Sequence, residues 1–350
     1  MKQSVVRRGI ISVAAVVVLI CSSAVVTVLL PASVASASTD FASFSPPLTG
    51  ATDFATNFPN SSESFGTGPI GMIDNGTNFF VQDYDNGMLY KFPITGGDAA
   101  TVQSASSGLF GLALSNGVYF GTGLGSTVSR FNPSTLAVSS TSVALPCGGA
   151  EGIAADPLST DLYVDTSCGV YRVQNPTSAS PTATLFSTSI PDDQFDGISI
   201  SSDGQEIWAA DTSAGNAVEF NRSGATVATI PDSRGLDGIG IAKPGVISGG
   251  INVSNNIFIN NNDGTITRVD TNNSHAISTV ATGGSRGDMV TAGPDGCLYA
   301  TQSDRIEKLA PCFFQTTGTN PGGCLSTPSP STPTAEPGGW APRPTTSQRR

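Results

Sequence analysis

One short phrase recurs six times along this chain, and that repetition limits the fold more than any single residue does. Its clearest copies run from an acid through Gly into alternating apolar residues, then through a turn to a second apolar run. They are Glu151-Gly152-Ile153 leading to Leu162-Tyr163-Val164, Asp196-Gly197-Ile198 leading to Ile207-Trp208-Ala209, and Asp237-Gly238-Ile239 leading to Ile257-Phe258-Ile259. In a fourth copy, Asp288-Met289-Val290 leads to Leu298-Tyr299-Ala300, with Met in place of Gly. Two divergent copies come first: Ile70-Gly71-Met72 leading to Phe79-Phe80-Val81, and Phe110-Gly111-Leu112 leading to Val118-Tyr119-Phe120. Counting from residues 70, 110, 151, 196, 237 and 288, successive copies start 40, 41, 45, 41 and 51 residues apart.

Each copy carries a third run, such as Val170-Tyr171-Arg172-Val173, and a weaker fourth lies between copies, such as Thr226-Val227-Ala228-Thr229-Ile230. Four short strands in a unit of about 40–45 residues describe a propeller blade, because one such sheet cannot bury its faces until neighbours pack against it. The expected fold is all-β: a six-bladed β-propeller of four-stranded antiparallel blades over residues 38–315. The last copy lacks a fourth run, so the segment from Thr52 to Phe58 is expected to supply it and close the ring. Composition agrees, with 38% hydrophobic residues for a core and Gly 40 and Pro 23 for many turns. Only 12% of residues are charged, which excludes a coiled coil or helical array. The 27 acidic residues against 16 basic give a net charge of -11, a surface that repels nucleic acid.

The two ends read differently from the repeat. Residues 1–37 resemble a secretory signal, with Lys2, Arg7 and Arg8 ahead of an apolar run from Gly9 to Leu30, then Ala35-Ser36-Ala37 as the cleavage site. The alternative is an uncleaved anchor, since the apolar run is long enough to span a bilayer. Pro31 and the cleavage site favour removal, leaving a secreted or cell-surface protein with no further membrane span. Residues 316–350 are rich in Pro, Ser and Thr, as in Thr327-Pro328-Ser329-Pro330, and read as a disordered tail.

The phrases Phe195-Asp196-Gly197-Ile198 to Ser202-Asp203-Gly204 and Gly293-Pro294-Asp295-Gly296-Cys297-Leu298-Tyr299 resemble blades of the gluconolactonase (SMP-30) and NHL-repeat propellers. That resemblance spans roughly residues 66–309 and implies the fold rather than one activity, because the same ring carries lactonases, lyases and binding modules. In the gluconolactonase-like enzymes the axial positions hold a divalent cation and a general-base Asp. The resemblance therefore implies Asp196 or Asp237 as the base and Glu151 as a metal ligand.

The residues themselves place an acid before the strand-starting Gly, or its Met replacement, in four copies: Glu151, Asp196, Asp237 and Asp288. First strands line the channel of a propeller, so these four form an acidic arc facing Ile70 and Phe110. Carboxylates crowded in this way would share protons or hold Ca²⁺ or another divalent metal, while the alternative is that each caps its own turn. Asn260, Asn261, Asn262 and Asp263 offer further oxygens but read as a polar turn. Arg286-Gly287-Asp288 spells an adhesion tripeptide, read as a coincidence because Asp288 already belongs to the arc. The single histidine, His275, falls towards the outer edge, which removes Ser-His-Asp and Cys-His catalysis. It also counts against the streptogramin lyases, another propeller group the chain resembles, which use a His near the axis.

Five cysteines follow the signal segment, as suits an oxidising compartment. Blade geometry pairs Cys147 with Cys168 on one face and Cys297 with Cys312 on the other, leaving Cys324 over. Cys324 could instead pair with Cys312, stay free or bridge to another chain. Two functions remain open from sequence. One is a non-catalytic extracellular ligand-binding or scaffold protein, a monomer whose partner is a small polar ligand or an extracellular surface component. The other is a metal-dependent hydrolase acting on a lactone or small ester.

Overall fold

The computed structural model describes residues 41–59, 67–123, 125–188, 195–243, 247–248 and 251–312. The chain divides into Met1–Ser38 and Thr39–Arg350, and every described residue belongs to the second unit. The expected signal segment, the tail and Cys324 lie outside the described residues.

Every regular element among the described residues is a β-strand, and six antiparallel sheets follow one another along the chain. Blade one comprises Pro69–Asp74, Asn78–Asp83, Met88–Pro93 and Gln103–Ser106. Blade two runs through Leu112–Ser115, Val118–Gly123, Thr127–Phe131 and Val138–Ala144, and blade three through Ile153–Ala155, Leu162–Thr166, Gly169–Gln174 and Thr182–Ser187. Blade four is Phe195–Ile200, Ile207–Asp211, Asn216–Phe220 and Thr226–Pro231. Blade five is Leu236–Ile241, Ile257–Asn261, Ile266–Asp270 and Ala276–Thr282. Blade six takes Val290–Ala292, Leu298–Gln302 and Arg305–Ala310 from the end of the repeat and its fourth strand from elsewhere. This is the six-bladed propeller that the repeat predicts.

Burial explains why the second run of each copy reads as nearly continuous apolar sequence. Leu162–Thr166, Ile207–Asp211, Ile257–Asn261 and Leu298–Gln302 are buried at every position, covered by a neighbouring blade on each face. Outer strands face solvent and show it: Thr226–Pro231 alternates exposed and half-buried residues along most of its length.

The glycine of the repeated phrase has a packing cause. A Cβ on Gly71 would overlap the carbonyl oxygen of Phe110, one on Gly111 that of Glu151, and one on Gly238 that of Asp288. Each of those carbonyls belongs to the first residue of a later copy, so the inner strands approach too closely for any side chain there. Copy six departs from the rule. Its Met289 sends Sδ to within 3.2 Å of the Met72 backbone nitrogen, across the seam between the last blade and the first.

That seam is closed by the N-terminal segment. Gly50–Thr56 pairs antiparallel with Arg305–Ala310, from Gly50 opposite Ala310 to Ala55 opposite Ile306. The closing strand thus begins two residues before the segment expected from the sequence. Ser43–Phe44 adds to the outer strand of blade five, and Gly97–Asp98 from blade one runs parallel to the closing strand. One short stretch therefore laces three blades. Both expected disulfides are present, Cys147–Cys168 and Cys297–Cys312, closing loops of 21 and 15 residues. Loops of that length restrict the unfolded chain by about 3 kcal/mol each.

Candidate functional site

Where the inner strands begin, the channel widens into a cavity of about 320 Å³. Its polar side is formed by Glu151, Asp237, Asp288, Arg286 and Thr67. Ile70, Tyr84, Phe110 and Met289 give the same cavity an apolar and aromatic lining. Three of the four acids read from the repeat, Glu151, Asp237 and Asp288, thus line one cavity together with Ile70 and Phe110. Asp196 lies in the first strand of blade four, and its side chain is outside the described residues. Met289 also borders a second cavity of about 190 Å³, which continues along the inner strands past Leu112, Ile153, Ile198 and Ile239.

Arg286 organises the polar side. Its Nη2 donates to Asp288 Oδ1 at 2.7 Å and to Asp237 Oδ2 at 3.4 Å, its Nε to Asn262 Oδ1 at 2.7 Å, and its Nη1 to Thr67 Oγ1 at 2.7 Å. The two carboxylates are almost entirely buried, with side chains 2% and 8% exposed. Carboxylates withdrawn from water to this degree need a counter-charge, and the guanidinium supplies it with a planar fork of donors.

Glu151 is held through its backbone. Its carbonyl accepts from Thr122 Oγ1 at 2.6 Å and from the Gly111 nitrogen at 3.0 Å, while its own nitrogen donates to Asp165 Oδ1 at 3.2 Å. Thr301 plays the equivalent part beside Asp288, accepting from the nitrogens of Asp288 and Met289. Thr122, Asp165 and Thr301 sit on buried second strands, so the rigid layer of each blade fixes the axial residue beside it. The aromatic side is fixed by the T-shaped pair Tyr84 and Phe110, with centroids 5.2 Å apart, and by Phe110 donating its nitrogen to the Thr122 carbonyl.

The polar turn after blade five's second strand divides its labour. Asn260 Nδ2 donates to the carbonyls of Met289 and Thr301, Asn261 Nδ2 to Thr265 and Thr267, and Asp263 accepts from Thr265 within its own turn. Only Asn262 joins the site, through Arg286. Sequence reasoning missed Arg286, Thr67 and Tyr84. The signal for Arg286 was its position two residues before an axial acid, the only arginine so placed among the six copies.

His275 stands away from the cavity, in the turn before the outer strand of blade five. Its Nε2 lies 3.3 Å from Glu219 Oε2 and its ring 5.7 Å from that of Trp208. Burial pushes the Glu219 carboxyl up, opposed by His275, and burial with the neighbouring Glu219 charge pushes Glu206 up. A carboxyl raised in the folded state contributes stability below its unfolded pKa of about 4.3 and loses it as pH rises through the folded value. Glu206→Gln mimics the protonated form. It is expected to melt higher than the parent at neutral pH, with the advantage vanishing below about pH 4. Thermal melts across that range check this, and an advantage independent of pH would show that charge is not the cause.

Among the described residues, one group of three His, Cys, Asp or Glu side chains lies close enough to share an ion: Asp295, Cys297 and Cys312. Its two cysteines are bonded to each other. No helix among the described residues is long and apolar enough to cross a membrane.

No protein-family model matches the chain, and no curated protein matches it. Solved structures do share its fold. An auxiliary nutrient binding protein from Bacteroides thetaiotaomicron VPI-5482 superposes with a TM-score of 0.57 at 9% identity, covering 74% of this chain and 76% of that one. A structural genomics protein of unknown function from the same organism gives 0.55 at 12% identity, covering 74% and 75%. A streptogramin B lyase gives 0.50 at 13% identity, covering 74% and 97%. At such identities the likeness is one of fold.

Proposed function

We propose that this chain is an exported, non-catalytic propeller that binds a small polar ligand in the cavity at the channel mouth. The observation that carries this reading is Arg286 bridging Asp237 and Asp288. A general base must turn a carboxylate towards a substrate proton, and Asp237, one of the two candidate bases, is engaged by a guanidinium. The cavity is at the lower end of the range for small-molecule sites, and its lining combines a few polar groups with aromatic and aliphatic ones. Two disulfides and the signal-like leader support export. The fold neighbours include both a nutrient-binding protein and a lyase, so the site has to decide the function.

The second reading is the gluconolactonase-like hydrolase, with Asp196 or Asp237 as base and Glu151, Asp196, Asp237 and Asp288 around Ca²⁺ or another divalent ion. Ca²⁺ takes six to eight oxygens at roughly 2.4 Å. Among the described residues Glu151, Asp237 and Asp288 do not gather as a three-ligand group, and Arg286 Nη2 approaches both aspartates, which favours the first reading. The arginine supplies the positive charge that a metal would otherwise bring.

Calorimetry of the exported protein tests the choice, with Ca²⁺ and with a panel of small polar compounds, beside a lactone and ester hydrolysis assay. Saturable binding of a panel member, without Ca²⁺ heat or turnover, is the expected result. Ca²⁺ binding that is lost in Asp237→Asn and accompanied by metal-dependent hydrolysis would overturn it in favour of the enzyme.

A further inference from the structure

We infer that the ligand class of this cavity is a small organic cation, an ammonium compound carrying apolar substituents; this rests on the small-ligand reading above. The polar side determines the sign of the charge. Its three described carboxylates and one guanidinium leave a formal charge of -2. Arg286 looks at first like an anion clamp, but all three of its nitrogens already donate, to Asn262, Thr67, Asp237 and Asp288. An arginine has five N–H donors and no acceptor, so a guanidinium bonded in this way has little left for an incoming carboxylate or phosphate. An anion would meet the acids without a compensating clamp.

The aromatic lining selects an organic cation over a metal ion. Tyr84 is 44% exposed at the rim and meets Phe110 edge to face at 74°. Aromatic faces attract cations through the ring quadrupole, and they do so best for ammonium groups that shed water easily. A strongly hydrated metal ion gains nothing from that surface. Glu151 stands on the blade next to Phe110, with its backbone pinned by Thr122, Gly111 and Asp165, and lines the same cavity as the aromatic pair. An ammonium between Glu151 and the Tyr84–Phe110 pair would satisfy its charge on one side and its methyl or methylene groups on the other. The excess of acidic residues over the whole chain draws cations towards the mouth.

The test is calorimetry on the exported protein with choline, tetramethylammonium and benzylamine, against 3,3-dimethylbutanol as the neutral isostere of choline and acetate as an anion. Cations are expected to bind saturably, with the neutral isostere roughly tenfold weaker or worse. Glu151→Gln and Tyr84→Ala should each weaken choline by roughly tenfold while leaving thermal melts unchanged. Tyr84 is a rim residue, so its variant keeps the measurement valid should the Glu151 variant fold poorly. Equal binding of choline and its isostere, a preference for acetate, or variants that bind choline as the parent does would overturn the cation assignment and leave the small-ligand reading standing. Absence of binding by every compound in this series and in the wider polar panel would overturn both.

Discussion

Replacing Arg286 with Met is expected to lower the melting temperature by roughly 5–10 °C, the largest loss from any single change at the cavity. The aliphatic stem is kept and the guanidinium removed, which takes this counter-charge from Asp237 and Asp288, whose side chains are 2% and 8% exposed. Breaking a buried ion pair from one side costs about 3–5 kcal/mol, because the remaining charge stays withdrawn from water without its counter-charge. Asn262 and Thr67 lose an acceptor role in the same step. Thr67→Val removes only one of those bonds and should cost about 1 kcal/mol. Differential scanning calorimetry of both variants makes the comparison. If the two melt alike, Arg286 is a bystander and the built-in counter-charge is wrong.

Phe54→Ala is expected to cost about 3–5 kcal/mol and to act on the whole ring rather than on one blade. Phe54 is carried by the closing strand, is 6% exposed, and makes edge contacts with Phe79 of blade one and Tyr299 of blade six at 4.8 and 4.9 Å. Phe92 packs behind them at 6.3 Å. The side chain therefore joins the first blade to the last through aromatic packing, where truncation leaves a cavity that the flanking sheets cannot collapse into. Denaturant unfolding should show the loss, and limited proteolysis should show earlier cleavage within Gly50–Thr56. Val227→Ala, on an outer strand and 56% exposed, should stay within about 0.5 kcal/mol of the parent. Equal effects of the two substitutions would remove the closing strand from its place in the stability argument.

The architecture was legible because it is written as a period. The spacing of Glu151, Asp196, Asp237 and Asp288 encodes blades, and the gap after the last copy encodes a borrowed strand. The recurring Gly was legible as a mark but not as a cause, since only the packed ring reveals that Gly111 abuts the Glu151 carbonyl. Both disulfides followed from strand direction within a blade. The site was half legible. Alignment of copies finds residues that every blade presents in the same register, and so found Glu151, Asp237, Asp288, Ile70 and Phe110 on one cavity. It is blind to residues that only one blade supplies. Arg286 and Thr67 come from connections between blades, and Asn262 and Tyr84 from turns within them, where no period operates and a side chain acts by reaching sideways.

That division of the lining, acids on some blades and aromatic or aliphatic residues on others, has a consequence for how a guest sits. A ring of six equivalent walls would offer the same ligand six interchangeable poses about the axis. Here rotation by one blade carries an ammonium from Glu151 to Phe110, and rotation by three carries it from Glu151 to Asp288 beside Arg286, so the settings are not equivalent. Removing a sixfold degeneracy concentrates a bound population into one orientation, a difference of about 1 kcal/mol in how sharply that pose must be specified. A fold built by repetition thus reads the handedness and the two ends of a small molecule only because its repeats have diverged at the axis.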